Sequence, residues 1–127
     1  MKQVKTFVAA AALGMLSTMA LTSAARADCN VDSEPFFMHL QDTTKHRIVT
    51  DTKGCELNFA TDGKTRFKSA AIASPPKNGK LAKVAPLEFV YQPRPGFKGL
   101  DAFVMKVCGS TAAGKGCSTL NYVTTVE

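Results

Sequence analysis

The sequence predicts an all-β fold, a sandwich or barrel of about seven or eight short, mostly antiparallel strands. Three observations carry that expectation. Helical periodicity is weak beyond the N-terminal segment. Short apolar or alternating runs recur, each closed by Gly, Pro, Asn or Asp. Within the runs, apolar residues recur with the two-residue period of a half-buried strand.

The first 27 residues stand apart. "MKQVKTFVAAAALGMLSTMALTSAARA" opens on Lys2 and Lys5, continues through an apolar run from Phe7 to Leu21 and closes on Ala25-Arg26-Ala27. That is the order of a secretory signal peptide. Ser17, Thr18 and Thr22 interrupt the run and no positive cluster follows it, so a membrane anchor is disfavoured. Arg26, Ala27 and Asp28 precede Cys29 where a lipoprotein signal needs small apolar residues, so no lipid anchor is expected. Residues 1–27 are therefore read as a signal peptide and residues 28–127 as one exported domain, periplasmic or extracellular. No second apolar span follows, so the processed protein is not expected to be an integral membrane protein.

Eight runs follow in order: "EPFFMHL", "HRIVT", "CELNFA", "RFKSAAIAS", "KLAKV", "LEFVYQ", "DAFVMKVCG" and "STLNYVTTV". The breaks after the second to fourth are "DTKG", "TDGK" and "PPKNG", and Ala85-Pro86 stops the fifth. Leu87, Phe89 and Tyr91 share one face of the sixth run. Phe103, Met105 and Val107 share one face of the seventh, and Leu120, Tyr122 and Val126 one face of the eighth. Three or four buried apolar side chains per strand form one modest core, at about 25 cal/mol per Å² buried. Phe36 and Phe37 are neighbours, so in a strand they point to opposite faces. One is buried; the other is covered by a loop or exposed as a handle for a partner.

All four cysteines lie after the signal peptide. An even number in a small exported domain reads as two disulfides. Cys108 and Cys117 flank "GSTAAGKG", a hairpin loop by composition, and both fall on the face opposite the apolar residues of their strands. Pairing them leaves Cys29 with Cys55. Each bridge contributes about 2–4 kcal/mol to a domain of this size.

Charge excludes little. The chain carries a formal +6, but Lys2, Lys5 and Arg26 leave with the signal peptide, and the domain keeps +3. That is ordinary for a soluble domain, and no nucleic-acid partner is expected. The basic clusters are Lys45 to Arg47, Gly63 to Lys68, and Lys77 with Lys80 and Lys83. They read as solvated faces or as protection of sheet edges, with an anionic partner such as a surface polysaccharide or lipid headgroup as the functional reading.

"YQPRPGFKGLDAF" is the densest motif. Pro93 ends a strand because it cannot donate to a ladder. Arg94-Pro95-Gly96-Phe97 fits a type II turn, with Gly96 at the position that needs positive φ. Phe97 turns back to plug the core, Gly99 allows a second turn, and Asp101 accepts hydrogen bonds from loop N–H groups. The stretch is a corner between two strands, across two sheets.

The residues Pro76 and Gly79, then Phe89, Tyr91 and Pro93, then Pro95, Gly96, Phe97, Gly99, Asp101 and Phe103 carry a resemblance. Over roughly 67–107 the chain resembles the bacterial Ig-like and cadherin-like repeats of surface and secreted proteins. The resemblance implies an Ig-like antiparallel β-sandwich and a binding, structural or adhesive role. The chain departs from the family in holding a single copy, in its short segment between Leu81 and Phe89, in its two cysteine pairs, and in lacking the acidic clusters that hold calcium in cadherins.

No catalytic constellation emerges. The histidines are His39 and His46, no G-x-S-x-G elbow is present, and cysteine spacing does not suit zinc. A copper site built on Met38-His39 lacks a late histidine and an unpaired cysteine. The sequence therefore reads as a non-enzymatic module with no cofactor and no metal, binding an unknown protein or a surface polysaccharide. The alternatives are an inhibitor or accessory subunit probing its target with "GSTAAGKG", and a periplasmic copper carrier.

Overall fold

A computed structural model describes residues 29–127; the signal peptide read over 1–27, and Asp28, lie outside them. Eight strands form two sheets: β1 (Asn30–Ser33), β2 (Thr43–Thr50), β3 (Cys55–Asn58), β4 (Thr65–Ser74), β5 (Gly79–Ala85), β6 (Glu88–Pro93), β7 (Gly99–Thr111) and β8 (Gly114–Val126). The larger sheet runs β1-β2-β8-β7-β4 and the smaller β3-β6-β5. Pairing is antiparallel except for β2, which lies parallel to β8 along its whole length, Thr43 beside Thr119 through Thr50 beside Val126. This is an Ig-like β-sandwich. The smaller sheet follows the order of immunoglobulin strands B, E and D and the larger contains the order of G, F and C, with two N-terminal strands, β2 and then β1, added beside the last strand.

The faces follow the sequence pattern. Phe103, Met105 and Val107 on β7, Leu120, Tyr122 and Val126 on β8, and Phe89 and Tyr91 on β6 are all buried. His46, Tyr122 and Phe103 stand side by side across β2, β8 and β7. Their rings stack at centroid distances of 4.9 and 4.8 Å, and Tyr91 of the opposite sheet continues the column at 5.7 Å from Phe103. Offset stacking of this kind adds about 0.5–1.5 kcal/mol per pair beyond burial.

Both disulfides are formed. Cys108 and Cys117 are direct partners across the β7–β8 ladder, on its outer face. Cys29, just before β1 at an edge of the larger sheet, is joined to Cys55 at the start of β3. This bridge links the two sheets along one flank of the sandwich.

Two expectations are corrected. "EPFFMHL" is not a strand: Met38–Leu40 form a single 3-10 turn, and the first strand is the preceding Asn30–Ser33. Strict alternation would put Met38 and Leu40 on one face, yet Met38 is buried and Leu40 is 63 % exposed. "GSTAAGKG" is not an eight-residue loop. The ladder continues through Ser110 beside Lys115 and Thr111 beside Gly114, leaving only Ala112 and Ala113 to turn. Extended pairing satisfies the backbone polar groups that an open loop would leave to water.

Candidate functional site

The two ends of the β7–β8 hairpin are built differently. At the open end lies the proline-glycine corner. The Phe97 N–H donates to the Arg94 carbonyl at 2.9 Å, and Gly96 has φ +79°, as a type II turn requires. Phe97 is half-buried against the core, and the Arg94 guanidinium lies 5.6 Å from its ring centroid. Pro93 is buried at the end of β6, Pro95 is exposed on the turn, and Gly99 opens β7.

Asp101 is the knot of this end. It is buried and accepts four hydrogen bonds: from the N–H groups of Lys77, Asn78 and Ala102 at 3.1, 3.2 and 2.9 Å, and from the Tyr91 hydroxyl at 2.8 Å. It thereby ties three things together: β7, the loop between β4 and β5, and β6 of the opposite sheet. Burial, and then the hydrogen bond and negative charge of Asp101, push the Tyr91 phenol up. Tyr91 therefore stays a neutral donor at any physiological pH. The motif residues Tyr91, Asp101 and Phe103 are consumed in holding the fold.

At the closed end, the hairpin tip carries the 3-10 turn. Met38 is buried, and the turn is seated over Gly109 and Gly116, which face each other across the ladder. A Cβ on Gly116 would come within 2.1 Å of the Met38 carbonyl oxygen, so only glycine there leaves room for the turn to dock. A Cβ on Gly109 would meet first the Arg66 carbonyl oxygen of β4, at 2.1 Å, and then Met38 Cε at 2.8 Å, so this glycine serves the approach of β4 as well as the seating of Met38. Gln41 closes it in the left-handed region at φ +52°, its N–H donating to the Met38 carbonyl at 3.1 Å. His39 Nδ1 is 2.8 Å from the Thr111 hydroxyl beside the hairpin turn.

Asp42 locks the turn from behind. Its carboxylate accepts from the Phe37 N–H at 2.9 Å and from the Ser118 hydroxyl, and its carbonyl accepts from Thr119 N–H at 2.9 Å. Burial alone would raise the Asp42 carboxyl. The hydrogen bonds from Ser118 and the backbone, with the nearby His39, outweigh it and hold the group below its ordinary value.

The result is a rigid platform. Phe37, 49 % exposed, and Leu40, 63 % exposed, stand out from a turn fixed to a disulfide-stapled hairpin, with Ala112 and Ala113 at its tip. Phe36 turns the other way. Its ring meets His46 edge-on at 5.9 Å and Phe67 at 6.1 Å. Of the two adjacent phenylalanines, 37 is the exposed one. The role of Gly109, Gly116 and Asp42 was not read from the sequence. The available signal was the symmetric "CG…GC" framing, two glycines just inside a cysteine pair.

The histidines do not share a site. His39 is at the hairpin tip, while buried His46 has its Nε2 2.7 Å from the Thr44 hydroxyl and its ring stacked on Tyr122. The Met38 side chain is in the core, directed away from the surface that carries His39. Among the described residues no three His, Cys, Asp or Glu side chains gather as metal ligands, and no helix is long and apolar enough to cross a membrane. Two disulfides fit an oxidising, exported environment. No family model and no curated protein sequence matches this chain at a significant level.

Proposed function

We propose that the chain is an exported, non-catalytic Ig-like binding module, acting in the periplasm or outside the cell, that engages a protein partner through the closed end of its β7–β8 hairpin. The observation that carries the reading is the pair Phe37 and Leu40, large apolar side chains left in solvent on a turn whose backbone is tied through the N–H groups of Phe37, Leu40 and Gln41. A preorganised apolar anchor loses little entropy on binding, which is what distinguishes a handle from a chance exposed residue. The resemblance of the corner motif to bacterial Ig-like and cadherin-like repeats supports an adhesive or structural setting. The narrow, stapled tip at Ala112-Ala113 favours one variant of the same reading, an inhibitor or accessory subunit that inserts the tip into a target.

The test compares the mature domain with Phe37→Ser/Leu40→Ser as immobilised baits against envelope and secreted fractions. The double variant should melt within a few degrees of the parent, because both side chains are exposed, and should lose the protein that the parent retains. Identical retention by both baits would rule out this end as the binding surface.

A further inference from the structure

The domain's modest net charge hides a sharp division. From Gly63 to Leu87 there are six cations, Lys64, Arg66, Lys68, Lys77, Lys80 and Lys83, and no acid. The rest of residues 28–127 holds seven cations and ten acids. The +3 domain is thus a +6 block set against a −3 remainder. The fold gathers the block in space. It consists of β4, β5 and their connections, and these two are edge strands, one of each sheet, joined by the short loop Pro75–Asn78. They form the flank opposite the Cys29–Cys55 bridge. All six side chains are exposed.

Protection of sheet edges does not account for this. Either sign of charge blunts an edge, so that need would not exclude Asp and Glu from 25 successive residues. The opposite edges, β1 and β3, carry no Lys or Arg at all, but Asp32 and Glu56. In sequence the nearest acids, Asp62 and Glu88, bracket the block at its two ends, and the Asp62 carboxylate is already engaged by the N–H groups of Lys64 and Thr65. In space Asp101 lies against the β4–β5 loop, but it is buried and its carboxylate is taken up by the N–H groups of Lys77, Asn78 and Ala102 and by the Tyr91 hydroxyl.

We propose that the β4–β5 flank binds a linear anionic polysaccharide. The proposal rests on the reading of the chain as an exported binding module; its surface adjoins the hairpin end, where Thr65 and Arg66 pair with Thr111 and Ser110, and runs from there along β4 and β5. A ten-residue strand spans about 33 Å, so the flank is long and narrow, and point-charge ammonium groups dominate it. That suits an extended, repeating polyanion held by many weak contacts. It suits a bilayer poorly, since Val84 is the one large apolar side chain exposed on these two strands, and membrane association needs an apolar face as well as charge. It suits single-stranded nucleic acid poorly too, since β4 and β5 expose no aromatic platform on which bases stack.

The experiment measures binding of the mature domain to polygalacturonate at low salt, with neutral dextran, vesicles of phosphatidylcholine and phosphatidylglycerol, and duplex DNA as comparison probes. Polygalacturonate should bind, dextran should not, and added salt should release it. Lys68→Gln/Lys80→Gln/Lys83→Gln should weaken binding about tenfold or more, while Lys45→Gln/Arg47→Gln/Lys53→Gln, an equal charge change on β2 and the loop that follows it, should change it by less than about twofold. Equal losses in the two triple variants would reduce the effect to net charge and overturn the proposal. So would stronger binding to vesicles or DNA than to polygalacturonate, or no binding beyond dextran. Phe37→Ser/Leu40→Ser should bind polygalacturonate like the parent, so failure of the hairpin reading and failure of this one are told apart.

Discussion

Asp101 and Asp42 solve the same problem at opposite ends of one hairpin, with opposite consequences. Each carboxylate joins a neighbouring segment to a strand, Asp101 through the N–H groups of Lys77 and Asn78 and the Tyr91 hydroxyl, Asp42 through the Phe37 N–H and the Ser118 hydroxyl. At Asp101 the carboxylate and the Tyr91 phenol that it holds are buried, and the knot welds the two sheets. At Asp42 the knot fixes a turn whose outer side chains, Phe37 and Leu40, are left in solvent. Similar hydrogen-bonding chemistry builds a fold determinant at one end and a presented surface at the other. What differs is which way the tied segment faces.

The largest loss of stability is expected at Asp101. Asp101→Ala strands the N–H groups of Lys77 and Asn78 and a buried phenol, and should destabilise by about 3–4 kcal/mol, because each buried donor left unpaired carries its own desolvation penalty. Chemical denaturation reads it. A loss under about 1 kcal/mol would mean that water replaces the carboxylate without difficulty and that the sheets are not welded there. Asp42→Ala removes fewer bonds at a more accessible place and should lose about 1–2 kcal/mol, with the larger consequence for binding through Phe37 and Leu40.

The two ends were not equally legible. At the open end the residues announce their geometry: Pro95 presets φ, Gly96 takes a positive φ, and Asp101 is an acceptor among loop donors. The strand faces were legible for the same reason, because alternation reports directly on burial. The closed end was not. Phe36, Met38 and Leu40 alternate as a strand would, and only contact with a distant segment, Met38 against Gly109 and Gly116, decides for a turn. β1 was invisible for the converse reason. Its four residues are all exposed, so no apolar period marks them, and pairing with β2 makes them a strand. The charged flank needed both sources, since the acid-free block is in the sequence but its gathering onto two neighbouring edges is topology.

Gly116→Ala sharpens the same contrast from the other side. The added Cβ meets backbone, the Met38 carbonyl, which cannot move away without undocking the turn. The expected loss is about 2–3 kcal/mol, accompanied by faster amide exchange at Leu40 and Gln41, while Asp101-dependent protection at Lys77 and Asn78 stays unchanged. Exchange rising at both ends together would show that the hairpin transmits the damage and that the ends are not independent units.

The smallest effect concerns pH and falls between the two ends, at His46. Burial lowers its readiness to take a proton; the charge of Glu34 opposes this without reversing it. Thr44 and Tyr122 also face the ring, and neither is charged near neutrality; burial pushes the Tyr122 phenol up. The folded state therefore holds the imidazole neutral where the unfolded chain, at its ordinary value of about 6.5, already binds a proton. Between these two values the unfolded state carries more protons, so stability falls as pH drops below about 6.5 and levels off once the folded form is also protonated. Asp42 contributes in the same direction only at much lower pH, because its own carboxyl is held below 3.8. Denaturation midpoints measured from pH 7.5 to 4.5 should fall, and His46→Leu should flatten that slope. A slope that survives the substitution would place the titrating group elsewhere in the core.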